Sequence, residues 1–171
     1  MHNALVFILG AGTLLAAAGG AVHLHSGKKE APAPAVALTA PVTRTHITCA
    51  RDSQGLYRCP IKGTSQGVKG THSRLLLWLK PVKPAADGWY LQRGSINGIA
   101  DGIEDDGGWR GTVQLGNTEY PPHEGDIVEV AVTIAPEDKA AQLFSEPGVV
   151  VRGDPGGTSS ARATEVSVQL L

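Results

Sequence analysis

The stretch Val128-Glu129-Val130-Ala131-Val132-Thr133-Ile134 decides the fold. Branched apolar residues recur at every second position. A strand turns successive side chains to opposite faces, so Val128, Val130, Val132 and Ile134 share one buried face. The turn Glu124-Gly125-Asp126 precedes the stretch. The same alternation appears on either side of it. Ile47 and Cys49 alternate with Thr48, and Tyr57, Cys59 and Ile61 with Arg58 and Lys62. Trp109, Val113 and Leu115 alternate with Arg110, Thr112 and Gln114, and Val166, Val168 and Leu170 with Glu165, Ser167 and Gln169. Residues 89–92 and 149–151 read as short strands. Residues 75–79 are apolar throughout, as in a central strand covered on both faces. Asp87-Gly88, Asp106-Gly107 and Gly116-Asn117 supply further turns.

One segment departs from this rhythm. Residues 136–144 start with proline and two acids and continue with good helix formers, so they predict one short helix. No strand-helix-strand repeat accompanies it. The expected fold is therefore mainly β: an antiparallel immunoglobulin-like sandwich with one short helix. A closed barrel is the alternative. The 22 glycines and 11 prolines, spread between the strands, fit many tight turns and exclude a helical bundle. A net charge of −1 gives no basic field for nucleic acid.

The N-terminal end reads differently. Residues 4–22 carry no charge. About twenty such residues cross a bilayer as a helix, so 1–27 are expected to be a transmembrane anchor or a cleaved signal. The run Ala16-Ala17-Ala18 favours cleavage, and the lack of lysine or arginine before the stretch favours an anchor. Residues 28–41, rich in alanine and proline, predict an extended tether, and 42–171 the β domain. Lys28 and Lys29 after the apolar stretch place the domain in the cytoplasm by the positive-inside rule. The cysteines argue for the extracytoplasmic side. Cys49 and Cys59 fall on apolar-phase positions of adjacent strands joined by a turn at 51–55, where they can face each other and bridge. Two buried free thiols are the other reading.

Side chains with chemistry are scattered. Trp78, Trp89 and Tyr90 flank the 80–88 loop, either as core packing or as a small stacking platform for a sugar or peptide. Asp101, Glu104, Asp105 and Asp106 form the one acidic cluster, a solvated turn or a weak Ca²⁺ candidate without the EF-hand spacing. His23 and His25 lack a third ligand, and His46, His72 and His123 lie far apart in sequence. Arg152-Gly153-Asp154 precedes a Gly/Ser loop and reads as a turn. No nucleophile elbow, zincin motif or phosphate-cradling loop occurs, and no cofactor is implied.

Several short motifs occur in an order of their own. They are Cys59-Pro60-Ile61-Lys62-Gly63-Thr64, Leu76-Leu77-Trp78-Leu79, Gly88-Trp89-Tyr90-Leu91-Gln92, Asp106-Gly107-Gly108-Trp109, Val113-Gln114-Leu115-Gly116 and Gly125-Asp126-Ile127-Val128-Glu129-Val130. The series resembles a poorly characterised family of bacterial membrane-associated β-sandwich modules. That resemblance covers about residues 46–145 and implies an accessory domain with no assigned catalytic residue. The chain departs from it in an extra C-terminal strand after a Gly-rich loop. The expected function is a membrane-tethered, non-catalytic module that binds a protein partner or serves as an envelope accessory subunit. A carbohydrate binder using Trp78, Trp89 and Tyr90 is the alternative, and a hydrolase is the least supported.

Overall fold

The computed structural model describes residues 32–92 and 102–171. The apolar stretch 4–22, His23, His25 and Asp101 lie outside these residues. In chain order the elements are β1 (Ala35–Ala40), β2 (His46–Arg51), β3 (Tyr57–Gln66), β4 (Ser73–Lys83) and β5 (Trp89–Leu91). Then come β6 (Gly108–Leu115), β7 (Ile127–Pro136), α1 (Glu137–Ser145), β8 (Val150–Val151) and β9 (Ser159–Leu170). Over the described residues the protein is mainly β with one short helix, and each run read as a strand in the sequence is one.

The nine strands of the described residues form a mixed sheet ordered β1-β3-β2-β9-β7-β4-β5-β8, with β6 also paired to β3. The expectation of a purely antiparallel arrangement needs correcting. β2 runs parallel to β9, with His46 beside Ser167 and Cys49 beside Leu170. The direction of β2 is fixed by its hairpin with β3, where Ala50 pairs with Arg58 and Arg51 with Tyr57. β9 follows β8 at the far edge of the sheet through residues 152–158, and no hairpin joins it to β2, so nothing forces the two strands to oppose each other. β2 therefore pairs with β9 over His46–Cys49 and with β3 over Ala50–Arg51.

The apolar run in β4 follows from burial on both faces. Leu75, Leu77 and Leu79 enter a large core with Ile47, Ile61, Trp109, Val113, Val130, Val132, Val166 and Val168. Leu76 and Trp78 point the other way and pack with Trp89, Leu91, Ala131, Ala135 and Ala140. Fully burying a side chain of this size contributes about 1.5–3 kcal/mol, which is why both faces are apolar. α1 supplies Ala140 to the second cluster, with Leu143 and Phe144 packed beside it. Its acids Glu137 and Asp138 sit in the first turn, where the helix dipole favours them.

The tether expected over 28–41 is only partly a spacer. Ala35–Ala40 is β1, paired antiparallel with β3 from Ala35 opposite Gln66 to Ala40 opposite Lys62. Extended Ala/Pro backbone is already shaped for an edge strand, and Pro32 and Pro34 stay outside the ladder. Gly63 makes the docking possible. A Cβ there would collide with the Trp109 ring and with the Ala37 carbonyl. The chain thus enters the domain beside Gln66, at one end of β3. The other end, at Tyr57, is about 30 Å away at the rise of a strand.

A preorganised groove at one pole

The turn between β2 and β3 is built around Asp52. Its Oδ1 accepts the amide N–H groups of Gln54 and Leu56, both at 2.9 Å. Its Oδ2 accepts Arg58 Nε at 2.9 Å. The Arg58 hydrogen bond, followed by that from Leu56, holds the Asp52 carboxyl below its usual range. The hairpin register places Cys49 opposite Cys59, one step beyond the Ala50–Arg58 pair, and the two are joined in a disulfide. Both are fully buried. The bridging reading of the sequence holds, and the free-thiol reading does not.

Beside this hairpin lies a groove of about 740 Å³. It opens at the Tyr57 end of β3, the end remote from the entry of β1. Leu79, Leu91, Leu115, Val128 and Val168 are its buried floor. Pro81 and Pro84 from the β4–β5 side, and Tyr120, Pro121 and Pro122 from the β6–β7 loop, form its walls with Tyr90. Tyr120 is 70% exposed and Tyr90 36%, so both rings are open to solvent.

Local hydrogen bonds fix these walls. Asn117 Oδ1 accepts the N–H groups of Glu119 (2.9 Å) and Tyr120 (2.7 Å), holding the loop as it projects the tyrosine. Gly116 has φ +60 and lies against the Tyr120 carbonyl and Pro122, where a Cβ would clash. Asp126 Oδ2 accepts the His123 N–H at 2.8 Å. Gln92 ties the two sides together: its N–H donates to Leu77 O at 2.9 Å, and its Oε1 accepts the Gln114 N–H at 2.8 Å. Such a site needs little ordering when a ligand arrives.

Of the sequence-derived candidates, Tyr90 and His123 line the groove and the others described lie elsewhere. Trp78, Trp89 and Tyr90 do not form an exposed platform. Trp78 is fully buried, and its Nε1 donates to Thr133 Oγ1 at 3.0 Å. Trp89 is buried beneath Lys80, 5.9 Å from the ring centre, and Arg162, at 5.1 Å. Only Tyr90 is open, because alternate residues of β5 face opposite ways. The described carboxylates of the acidic cluster, at 104, 105 and 106, are engaged with separate partners. Asp105 pairs with Lys69 at 2.6 Å, which lowers its pKa. Asp106 accepts the Gly108 N–H at 2.8 Å, and Glu104 lies 3.8 Å from Arg110. Among the described residues no three His, Cys, Asp or Glu side chains converge as metal ligands do. His72 lies 3.5 Å from Glu137, which is also paired with Arg74, while His123 is 3.9 Å from Asp126. Arg74, then His72, depress the Glu137 pKa. Asp154 of the Arg-Gly-Asp turn is paired with Arg162.

Sequence reasoning missed Tyr120. The available signal was an aromatic residue next to two prolines in a segment with no strand pattern. A large exposed ring held rigidly in a loop is a common binding element. Comparison of the chain with models of known families, with curated proteins and with solved structures returns no match. No helix of the described residues is long and apolar enough to cross a membrane.

Proposed function

We propose that this chain is a membrane-tethered, immunoglobulin-like β module that binds a protein partner without catalysing a reaction, using the groove between Tyr90 and Tyr120. The groove carries the reading: a fixed, largely apolar concavity with two open phenol rings at one pole of the domain. Immunoglobulin-like topology is supported by the strand order. One layer is β1, β2, β3 and β6, and the other is β9, β7, β4, β5 and β8 with β2 shared between them. The chain passes between layers from β3 to β4, β5 to β6 and β6 to β7, as in a Greek-key sandwich. The disulfide joins the first hairpin, unlike the inter-sheet bridge of antibody domains.

The tether is supported by the charge-free stretch 4–22. The disulfide favours an oxidising, extracytoplasmic compartment. The test is a photo-crosslinking amino acid in place of Tyr120 in living cells, with a second at Asp138 on α1 as control. The expected result is one protein captured from position 120 and none from 138. Capture of glycan alone would replace this reading with the carbohydrate-binding one.

A further inference from the structure

The polar side chains around the groove are mostly engaged within the domain. Arg58 donates to Asp52, Asn117 and Asp126 accept loop amides, and Gln92 accepts the Gln114 amide. What remains for a ligand is the apolar floor, the proline rings at 81, 84, 121 and 122, and the phenols of Tyr90 and Tyr120. Neither hydroxyl has a hydrogen-bond partner among the described residues. Two charges in the lining have no ion pair among the described residues, Lys83 and Glu119. They have opposite sign and stand on opposite walls, so the groove offers no net field to an acidic or a basic ligand.

We infer that the groove takes an extended, proline-bearing, uncharged peptide segment of another protein. The inference rests on the binding-module reading and names its ligand. A polyproline segment makes no internal hydrogen bonds, so its carbonyls are free to accept from the two phenols. Its rings pack on aromatic and proline faces, and its stiffness reduces the entropy lost on binding. A helix presents carbonyls already bonded within itself and gains nothing from those hydroxyls. Charge balance selects a neutral segment over an acidic or basic one. The chain's own Pro32 and Pro34 do not supply the segment within one molecule. They lie beside Gly67, at the opposite pole.

The test titrates an uncharged, end-capped, proline-rich synthetic peptide into the nitrogen-15-labelled full chain, with every proline replaced by glycine in a control peptide. Amide shifts confined to Tyr90, Gln92, Leu115 and the 116–126 loop are expected. Tyr120→Ala should weaken binding about tenfold or more, as at an aromatic hot spot. Salt should change affinity by less than about twofold, since no net charge is neutralised. Equal binding of the glycine control, shifts centred elsewhere, or a steep salt dependence overturns the inference. So do shifts at these amides on raising protein concentration without peptide, which assign the groove to a second copy. A partner cross-linked at position 120 through a proline-free segment overturns this inference and leaves the binding module standing. Absence of any cross-linked protein, both with the cross-linker at 120 and with it in place of Glu119 while Tyr120 is kept, removes the binding module itself.

Discussion

Trp78 Nε1 donates to Thr133 Oγ1 at 3.0 Å, across neighbouring strands β4 and β7 and beneath α1. Thr133 is the one fully buried polar residue among the described core positions, and this bond explains its presence. Thr133→Val keeps the shape and removes the acceptor. A buried indole N–H without a partner costs about 1–3 kcal/mol. Urea unfolding should show that loss at unchanged slope. Wild-type stability in Thr133→Val would mean that the bond contributes nothing net.

The disulfide closes a short loop, with its cysteines 10 residues apart. In the chain-entropy model such a loop contributes roughly 2.7 kcal/mol by restricting the unfolded chain. The paired substitution Cys49→Ala with Cys59→Ala should lose about that much in denaturant unfolding. Reductant should lower the stability of the native chain and leave the alanine pair unmoved. An identical response of both proteins to reductant would dismiss the bridge as a stabilising element. In intact cells, thiol labelling of the native chain only after reduction would support the extracytoplasmic side.

Gly63 sits where the Trp109 ring and the Ala37 carbonyl close on β3. Gly63→Ala forces either β1 or the indole outward. Overpacking of this kind costs about 1–3 kcal/mol, and here the neighbours include rigid backbone. The expected signature is loss of amide protection in Ala35–Ala40 together with lower stability. Unchanged protection there would mean that the edge strand adjusts to the added methyl.

The strands were legible because alternation reports burial on one face. β4 was legible for the complementary reason, that a strand covered twice has no polar phase. The helix announced itself by Pro136 and the acids after it. Three features escaped. β1 has the composition of a linker, and its strand character comes from pairing with β3, which local sequence does not encode. The parallel contact of β2 with β9 depends on where two strands distant in sequence meet. The groove joins residues from the β4–β5 side to others on the β6–β7 loop, and only the fold brings them together. Exposure of Trp78 and Trp89 was undecidable from sequence, since a tryptophan in a short strand serves a core and a platform equally well. Cys49 and Cys59 were the exception, because a short hairpin register is fixed locally.

Asp52 gives the hairpin a pH dependence of known sign. Its folded pKa is depressed, first by the Arg58 hydrogen bond and then by Leu56 N–H. A carboxyl depressed in the folded state stabilises fully above its unfolded pKa, near 4, and loses that contribution as pH falls through the lower folded value. Native chain should therefore lose stability below about pH 4 more steeply than Asp52→Asn, which has no charge to lose. Hairpin amides Gln54 and Leu56 should report the change by nuclear magnetic resonance. Glu137, held down by Arg74, contributes with the same sign, so Glu137→Gln is the control that separates the two. Identical acid limbs for native and Asp52→Asn would show that the turn survives protonation.

The polarity of the domain leads to a test of the membrane reading. Chain entry lies beside Gln66, and the groove with Tyr120 lies beyond the other end of β3, about 30 Å away by strand rise. With Cys49 and Cys59 bonded, a single added cysteine is the only free thiol. Full chain carrying Gln66→Cys or Tyr120→Cys is labelled with a fluorophore and reconstituted into phosphatidylcholine vesicles containing spin-labelled lipid. If residues 4–22 anchor the chain, both proteins float with the vesicles. The ratio of lipid quenching at 66 and at 120 then reports which end of β3 faces the bilayer. Failure to float would remove the anchor while leaving the groove intact. Flotation with stronger quenching at 120 would lay the groove against the bilayer, and its ligand would then have to come from the membrane side.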